Sequence, residues 1–181
     1  MRRKTQLVAA VTFMVTVVVS FSSYIYVSQI LRLQIRDTRE TADHLTSEMA
    51  YLANEAVPDL TSTRVNTDDP KAVRTAIAYY LSTDKNLNGF VESVPGTWLT
   101  IYDAAVVDPD GNAILHSIPD LIGKSIAERP DFQRLQDARL QDQLRMLYHP
   151  PKVYEVSLPL KLNEVPFGSV RVGVSTVILS T

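Results

Sequence analysis

The sequence predicts an α+β fold: an N-terminal transmembrane helix continues into a long helix, which packs on a mostly antiparallel sheet. Three changes of hydropathy pattern predict it. Residues 7–31 are apolar and uncharged, directly behind Arg2-Arg3-Lys4. Residues 35–56 are one-sided with helical spacing, and from Trp98 onward the period becomes two.

At about 1.5 Å rise per residue, residues 7–31 form a helix long enough to cross a ~30 Å hydrocarbon core. The basic cluster favours a cytoplasmic N-terminus, so the chain from Arg32 onward is expected outside the cytoplasm. A cleaved secretory signal is the rival reading. Its apolar region runs to only about 7–15 residues and ends in a small-x-small site. Here the run is longer and closes on Tyr26-Val27-Ser28-Gln29-Ile30-Leu31 without Ala-x-Ala, which reads as an uncleaved anchor. Tyr24 and Tyr26 sit where an interfacial aromatic belt belongs. The domain plan is a basic cytoplasmic N-terminus (1–6), a transmembrane helix (7–31), a membrane-proximal helix (32–58) and a globular domain (59–181).

The 181-residue chain has a net charge of −2 and 45% hydrophobic residues, and it contains no cysteine. About 150 residues beyond the anchor are enough for one domain with a real core. The charge gives no nucleic-acid footprint. The absence of cysteine excludes disulfides and thiolate metal sites within the chain, and suits an oxidising compartment.

Ile35, Thr38, Ala42, Leu45, Met49, Leu52 and Ala56 follow a 3-4 spacing. That is a heptad seam, with Arg36, Asp37, Arg39, Glu40, Asp43 and Glu48 on the other faces. It serves either the domain's own sheet or a parallel homodimer beside the membrane. Residues 59–69 read as a loop. Asp69-Pro70 reads as N-cap and N1 of a helix with Val73, Ile77, Tyr80 and Leu81 on its apolar face, ending near residues 82–83. Residues 99–107 read as a strand, Asp108-Pro109-Asp110-Gly111-Asn112 as a turn, and residues 113–116 as the returning strand. A loop over residues 118–124 and a helical stretch from Pro130 to about residue 147 follow. Two alternating strands close the chain, joined by a turn over residues 163–168.

The run Tyr102-Asp103-Ala104-Ala105-Val106-Val107-Asp108-Pro109-Asp110-Gly111, then Ile114-Leu115-His116-Ser117 and Leu121-Ile122-Gly123-Lys124, resembles the PAS-like extracytoplasmic sensor domains called PDC or Cache domains. Tyr154-Glu155-Val156-Ser157-Leu158-Pro159-Leu160 with Phe167-Gly168-Ser169-Val170-Arg171-Val172-Gly173-Val174 is similar to their closing hairpin. The resemblance covers roughly residues 35–178. It implies an input domain of a bacterial inner-membrane receptor, foremost a sensor histidine kinase of a two-component system. The globular part would be periplasmic and bind a small molecule, and the output region would lie beyond residue 181.

Arg171 lies on a strand face with Ser169, Gly173 and Ser175, where a guanidinium between small residues suits a carboxylate; a cross-strand pair with Glu155 is the plainer alternative. Arg129 and Lys124, from the loop over the sheet, extend an anionic-ligand site, with Tyr102 and Tyr154 lining it; His116 reads either as a structural turn histidine or as a hydrogen-bond partner of a ligand. Asp84-x-Asn86-x-Asn88-Gly89 matches the first half of an EF-hand loop, with Glu92 at the water-bridged ninth place; Pro95 stands where the bidentate Glu belongs. A helix-ending loop is the alternative there. The three histidines lack metal-ligand spacing. No nucleophile elbow, phosphate loop or acid–base pair is present, so neither an enzyme nor a resident cofactor is expected. A membrane-tethered interaction module without a ligand is the second functional expectation, and a structural calcium domain the third.

Overall fold

The computed structural model describes residues 2–58, 69–150, 152–162 and 165–177. Its elements are α1 (Arg2–Ala56), α2 (Pro70–Thr83), α3 (Lys85–Thr97), β1 (Ile101–Val107), β2 (Ala113–His116), a 3-10 turn (Pro119–Leu121), α4 (Gln133–Asp137), α5 (Leu140–Tyr148), β3 (Val153–Leu162) and β4 (Val165–Ser175). The strands form one antiparallel sheet in the order β2-β1-β4-β3. The fold is α+β.

Helix α1 is unbroken from the apolar stretch into the domain. Up to Val27 its described side chains are exposed; from Leu31 onward one stripe is buried. That stripe is Leu31, Ile35, Thr38, Ala42, Leu45, Thr46, Met49, Ala50, Ala53 and Val57. It belongs to the same core as Val170, Val172 and Val174 of β4, so the seam serves the chain's own sheet. The stripe also departs from the heptad. Leu52 and Ala56 are only half-buried, whereas Ala53 and Val57 are buried. A straight helix drifts about 20° per heptad, and the burial follows the 3.6-residue period of a helix lying along a sheet.

One ion pair and one bridge mark the level at which α1 meets the sheet. Arg39 pairs with Asp131 at 3.6 Å, and Asp131 bridges to Glu155. Arg39 is therefore level with Glu155, near the start of β3. From there to Val57 the helix rises about 27 Å. Strand β3 offers about 23 Å from Glu155 to Leu162, and only two residues in the other direction. So α1 ascends alongside β3, and its entry end lies beside Lys152 and the last residues of β4.

Asp69 caps α2 by accepting from Lys71 N at 2.9 Å, as its position before Pro70 predicts. The rest of the loop expected over residues 59–69 lies outside the described residues. Residues 85–97 correct both readings of the Asp84 segment. They form a helix, with Asp84 as N-cap accepting from Leu87 N at 2.8 Å. Leu87, Val91 and Val94 at i, i+4 and i+7 are buried, and that stripe outweighs Asn86, Asn88 and Gly89. Pro95 falls in the last turn, where a single backbone bond is lost.

Three further boundaries differ from expectation. Strand β1 starts at Ile101, because residues 98–100 form a turn closed by Ile101 N to Trp98 O at 3.0 Å. Gly168 is inside β4, against the Val107 carbonyl, where a Cβ would not fit. The helical stretch after Pro130 is two short helices separated by extended Ala138 and Arg139. The buried Gln143 amide donates to Leu135 O at 3.1 Å and Gln136 O at 3.3 Å, capping α4 and stabilising the break.

The register sorts the sheet into two faces. Leu115, Ala104, Val106, Val170, Val172, Val174, Tyr154 and Val156 join the core with α1, α3, α4 and α5. His116, Ala105, Arg171 and Ser157 form one rung of the opposite face, and Asp103, Gly173 and Glu155 the next.

The burial pattern makes a direct distinction between the two uses of α1. Leu45→Ala is expected to cost about 2–5 kcal/mol of unfolding free energy, as for buried leucines generally, and the half-buried Leu52→Ala clearly less. A heptad seam would make the two equal. Thermal or denaturant unfolding of the purified protein reads the difference.

Candidate functional site

The second face of the sheet is polar and covered by the segment from Ser117 to Pro130. That segment is held along its length: Ser117 N donates to Ala104 O at 2.8 Å, Ile126 N to Gly111 O at 2.9 Å, and Glu155 N to Pro130 O at 2.9 Å. Gly111 and Gly123 turn the chain with φ of 84° and 78°. Ala127 and Glu128 are exposed. Gly123 N also donates to Ala113 O at 2.8 Å, and next to the Pro130 end the side chain of Arg129 fastens the strap to the sheet.

Arg129 clasps Asp103 through two parallel bonds, Nη1 to Oδ1 at 2.6 Å and Nη2 to Oδ2 at 2.7 Å. Asp103 is 3% exposed, so its charge needs a partner. Hydrogen bonding to Asp103 raises the Arg129 pKa further. The guanidinium also stands 5.7 Å from the Tyr102 ring centre, a cation–π contact. The pair lies flat on β4 because residue 173 has no side chain. A Cβ there would collide with both Asp103 Oδ1 and Arg129 Nη1.

His116 is 2% exposed. Its Nδ1 accepts from Ile118 N at 2.9 Å, which places the proton of the neutral ring on Nε2. Nε2 is 3.8 Å from Asp103 Oδ2 and makes no hydrogen bond among the described residues. Burial pushes the imidazole pKa below 6.5; the Asp103 charge opposes this and Arg129 adds to it. On the same rung, across Ala105, Arg171 holds Nε 3.7 Å from Glu155 Oε1, too far to hydrogen-bond. Arg171 Nε and Nη1 are buried without a hydrogen-bond partner among the described residues. Burial pushes the Glu155 carboxyl pKa up, with Arg171 and Arg129 pulling it down.

The unmatched groups of Arg171 and His116 are thus all donors, on either side of the small Ala105. The arrangement suits an occupant rich in oxygen acceptors, above all a carboxylate, which a guanidinium can take bidentately.

The other residues singled out in the sequence are placed as follows. Tyr154 is buried on the opposite face, edge-on to Phe132 at 6.4 Å, and borders a groove with Pro130, Arg134, Arg145, Met146, His149 and Pro150. It does not join Arg171, because Tyr154 and Glu155 are strand neighbours and point to opposite faces. Lys124 is exposed at the hairpin end of β2, its carbonyl accepting from Ala113 N at 2.9 Å. Asp84, Asn86, Asn88 and Glu92 belong to the start and body of α3. Asn88 Nδ2 donates to Ser82 O at 3.0 Å and Asp84 O at 2.6 Å, so its side chain serves the helix junction. Among the described residues no group of three or more acidic, His or Cys residues is arranged to hold a metal. Sequence reasoning missed Asp103 as a site residue. The available signal was a carboxylate in the middle of the apolar strand 101–107, which needs a buried cation.

Two outcomes follow. Gly173→Ala is expected to displace the Arg129–Asp103 pair and destabilise the fold by about 1–3 kcal/mol, read by chemical denaturation. His116 is expected to make stability acid-sensitive. Its folded pKa lies below the unfolded 6.5, so the unfolded chain binds the proton more readily. Stability is therefore full above 6.5 and falls as pH drops below it. Glu155 acts in the opposite sense at lower pH, since its folded pKa lies above 4.5. Melting temperatures against pH should show a loss below 6.5 that His116→Asn flattens.

No family model matches the chain, and no curated protein matches it. Among solved structures, similarity is found to an extracellular ligand binding receptor from Desulfohalobium retbaense DSM5692, at 17% identity and a TM-score of 0.35. The match covers 77% of this chain and 26% of the receptor, so the chain spans about a quarter of that protein's length.

Proposed function

We propose that this chain is the ligand-sensing input region of a bacterial inner-membrane signalling receptor. Its α1 would span the membrane and its domain would face the periplasm. The reading places it with the PDC or Cache type of PAS-like sensors, with a sensor histidine kinase as the favoured output. The observation that carries it is the buried polar face, where Arg171 and His116 present unmatched donors beneath a strap fastened by Arg129. Buried donors without partners cost stability, and proteins keep them where an occupant satisfies them. The ligand class that follows is a small carboxylate. Opening of the strap would admit it, and its preference for one arrangement would shift the domain's equilibrium.

A membrane-tethered dimerisation module without a ligand is the alternative. It drew its support from the α1 seam, and Ile35, Ala42, Leu45 and Met49 are spent on the chain's own core. A second helix would have to meet the remaining, mostly charged face.

The test is a thermal-shift screen of the full chain in detergent micelles against small carboxylates, amino acids, amines and calcium. A carboxylate is expected to raise the melting temperature with dose, by the equivalent of about 2.7 kcal/mol at a hundred times Kd. Arg171→Ala should remove that shift and leave the protein folded. An unchanged shift in the variant would take Arg171 out of the site, and no shift with any compound would favour the ligand-free module.

A further inference from the structure

The turn that precedes β1 carries Leu99, at 82% the most exposed large hydrophobic residue of the described chain. A single exposed leucine is ordinary in itself. Its position is not. Ser175 N donates to Thr100 O and Thr176 N to Lys152 O, both at 2.8 Å, so the turn, Lys152 and the end of β4 meet at one end of the sheet. The entry end of α1 lies at that same end.

The depth follows from the strands. Arg39 is level with Glu155, whose rung also holds Asp103. From Arg39 to Leu31 the helix descends about 12 Å. Thr100 is bonded to Ser175, two residues or about 7 Å beyond Gly173 on that rung, and Leu99 lies at most one residue further, about 10 Å down. Leu99 is therefore within a few Å of the level of Leu31, the last residue of the apolar stretch. Tyr24 and Tyr26 lie about 8–10 Å below, and the headgroup layer is about 5–7 Å thick on each side of the bilayer. Trp98 beside Leu99 is half-buried, and Lys152 and Arg32 are exposed. An aliphatic tip, an indole and two cations at this depth match a phospholipid surface.

On the reading that α1 spans a bilayer, we propose that residues 98–100 and Lys152 dock on the outer surface of that same membrane. Leu99 enters the boundary between headgroups and acyl chains, and the cations meet the phosphates. The contact is a second footing beside α1, and it sets the height and tilt of the domain.

The chain lacks cysteine, so single labels are clean. Leu99→Cys, Lys161→Cys and Val18→Cys, each carrying a nitroxide, are reconstituted separately as full chains in vesicles of phosphatidylcholine and phosphatidylglycerol. Oxygen and a water-soluble nickel chelate then compete as relaxing agents. The label at 99 is expected to show a several-fold higher oxygen-to-nickel ratio than the one at 161, which sits at the far end of β3. An immersed label at 18 with identical aqueous ratios at 99 and 161 would overturn the docking and leave the anchor standing. An aqueous label at 18 would overturn the membrane reading, and the docking with it.

Discussion

Helix α1 has no glycine or proline at which to break, so one continuous helix meets two surroundings. It is apolar on all sides from residue 7 to Leu31 and carries a single buried stripe beyond. The stripe fixes the placement of the rest. Strands β3 and β4 lie along it, and α3 and α4 pack beside it. Small residues at Ala42, Thr46, Ala50 and Ala53 bring the helix close to the sheet, and Leu45 and Met49 fill the space between them. The Arg39–Asp131 pair marks which level of the helix meets which level of the sheet.

With one face given to α1, the other is free to be polar, and its chemistry centres on Asp103. An uncompensated carboxylate at that depth would cost several kcal/mol. Arg129 supplies the compensation, Gly173 the room, and Tyr102 a surface for the guanidinium. This commitment removes Arg129 from any role as a free anion receptor. Among the described residues of this face, Arg171 is the cation left over, because Glu155 stands too far to hydrogen-bond it. In the proposed receptor, an incoming carboxylate would take Arg171 from Glu155. The burial that already raises the Glu155 pKa would then favour protonation of that side chain, keeping the charge balanced.

Much of the fold was legible because period and turn chemistry agreed. The strand 113–116, the Asp108–Asn112 turn, the Asp69 cap and the alternation of β3 and β4 all carry local signals strong enough to stand alone. Helix α3 was not legible, because Asn86, Asn88, Gly89 and Pro95 argue against a helix one by one. The tertiary burial of Leu87, Val91 and Val94 overrides them. The break at Ala138 was hidden for the opposite reason: its sequence is helix-compatible, and the buried Gln143 amide stabilises it from five residues on. Within the site, Arg171 and Arg129 were legible as cations near a sheet. Their different states were not, since the Asp103–Arg129 clasp joins residues 26 positions apart and depends on a glycine on a third element.

Strand β4 joins all of these parts. Arg171 and Gly173 face the polar site, and Val170, Val172 and Val174, alternating with them, face the core shared with α1. Its last residues reach the end of the sheet where α1 enters. A one-residue slip of β4 would exchange these two faces, exposing three valines and burying a guanidinium, so large register shifts are excluded. The motion left to the proposed receptor is a small slide or tilt of the whole sheet against α1, a change between two packed arrangements. Because the site and the membrane-side end belong to the same strand, such a motion needs no intermediate element to travel from Arg171 to the bilayer.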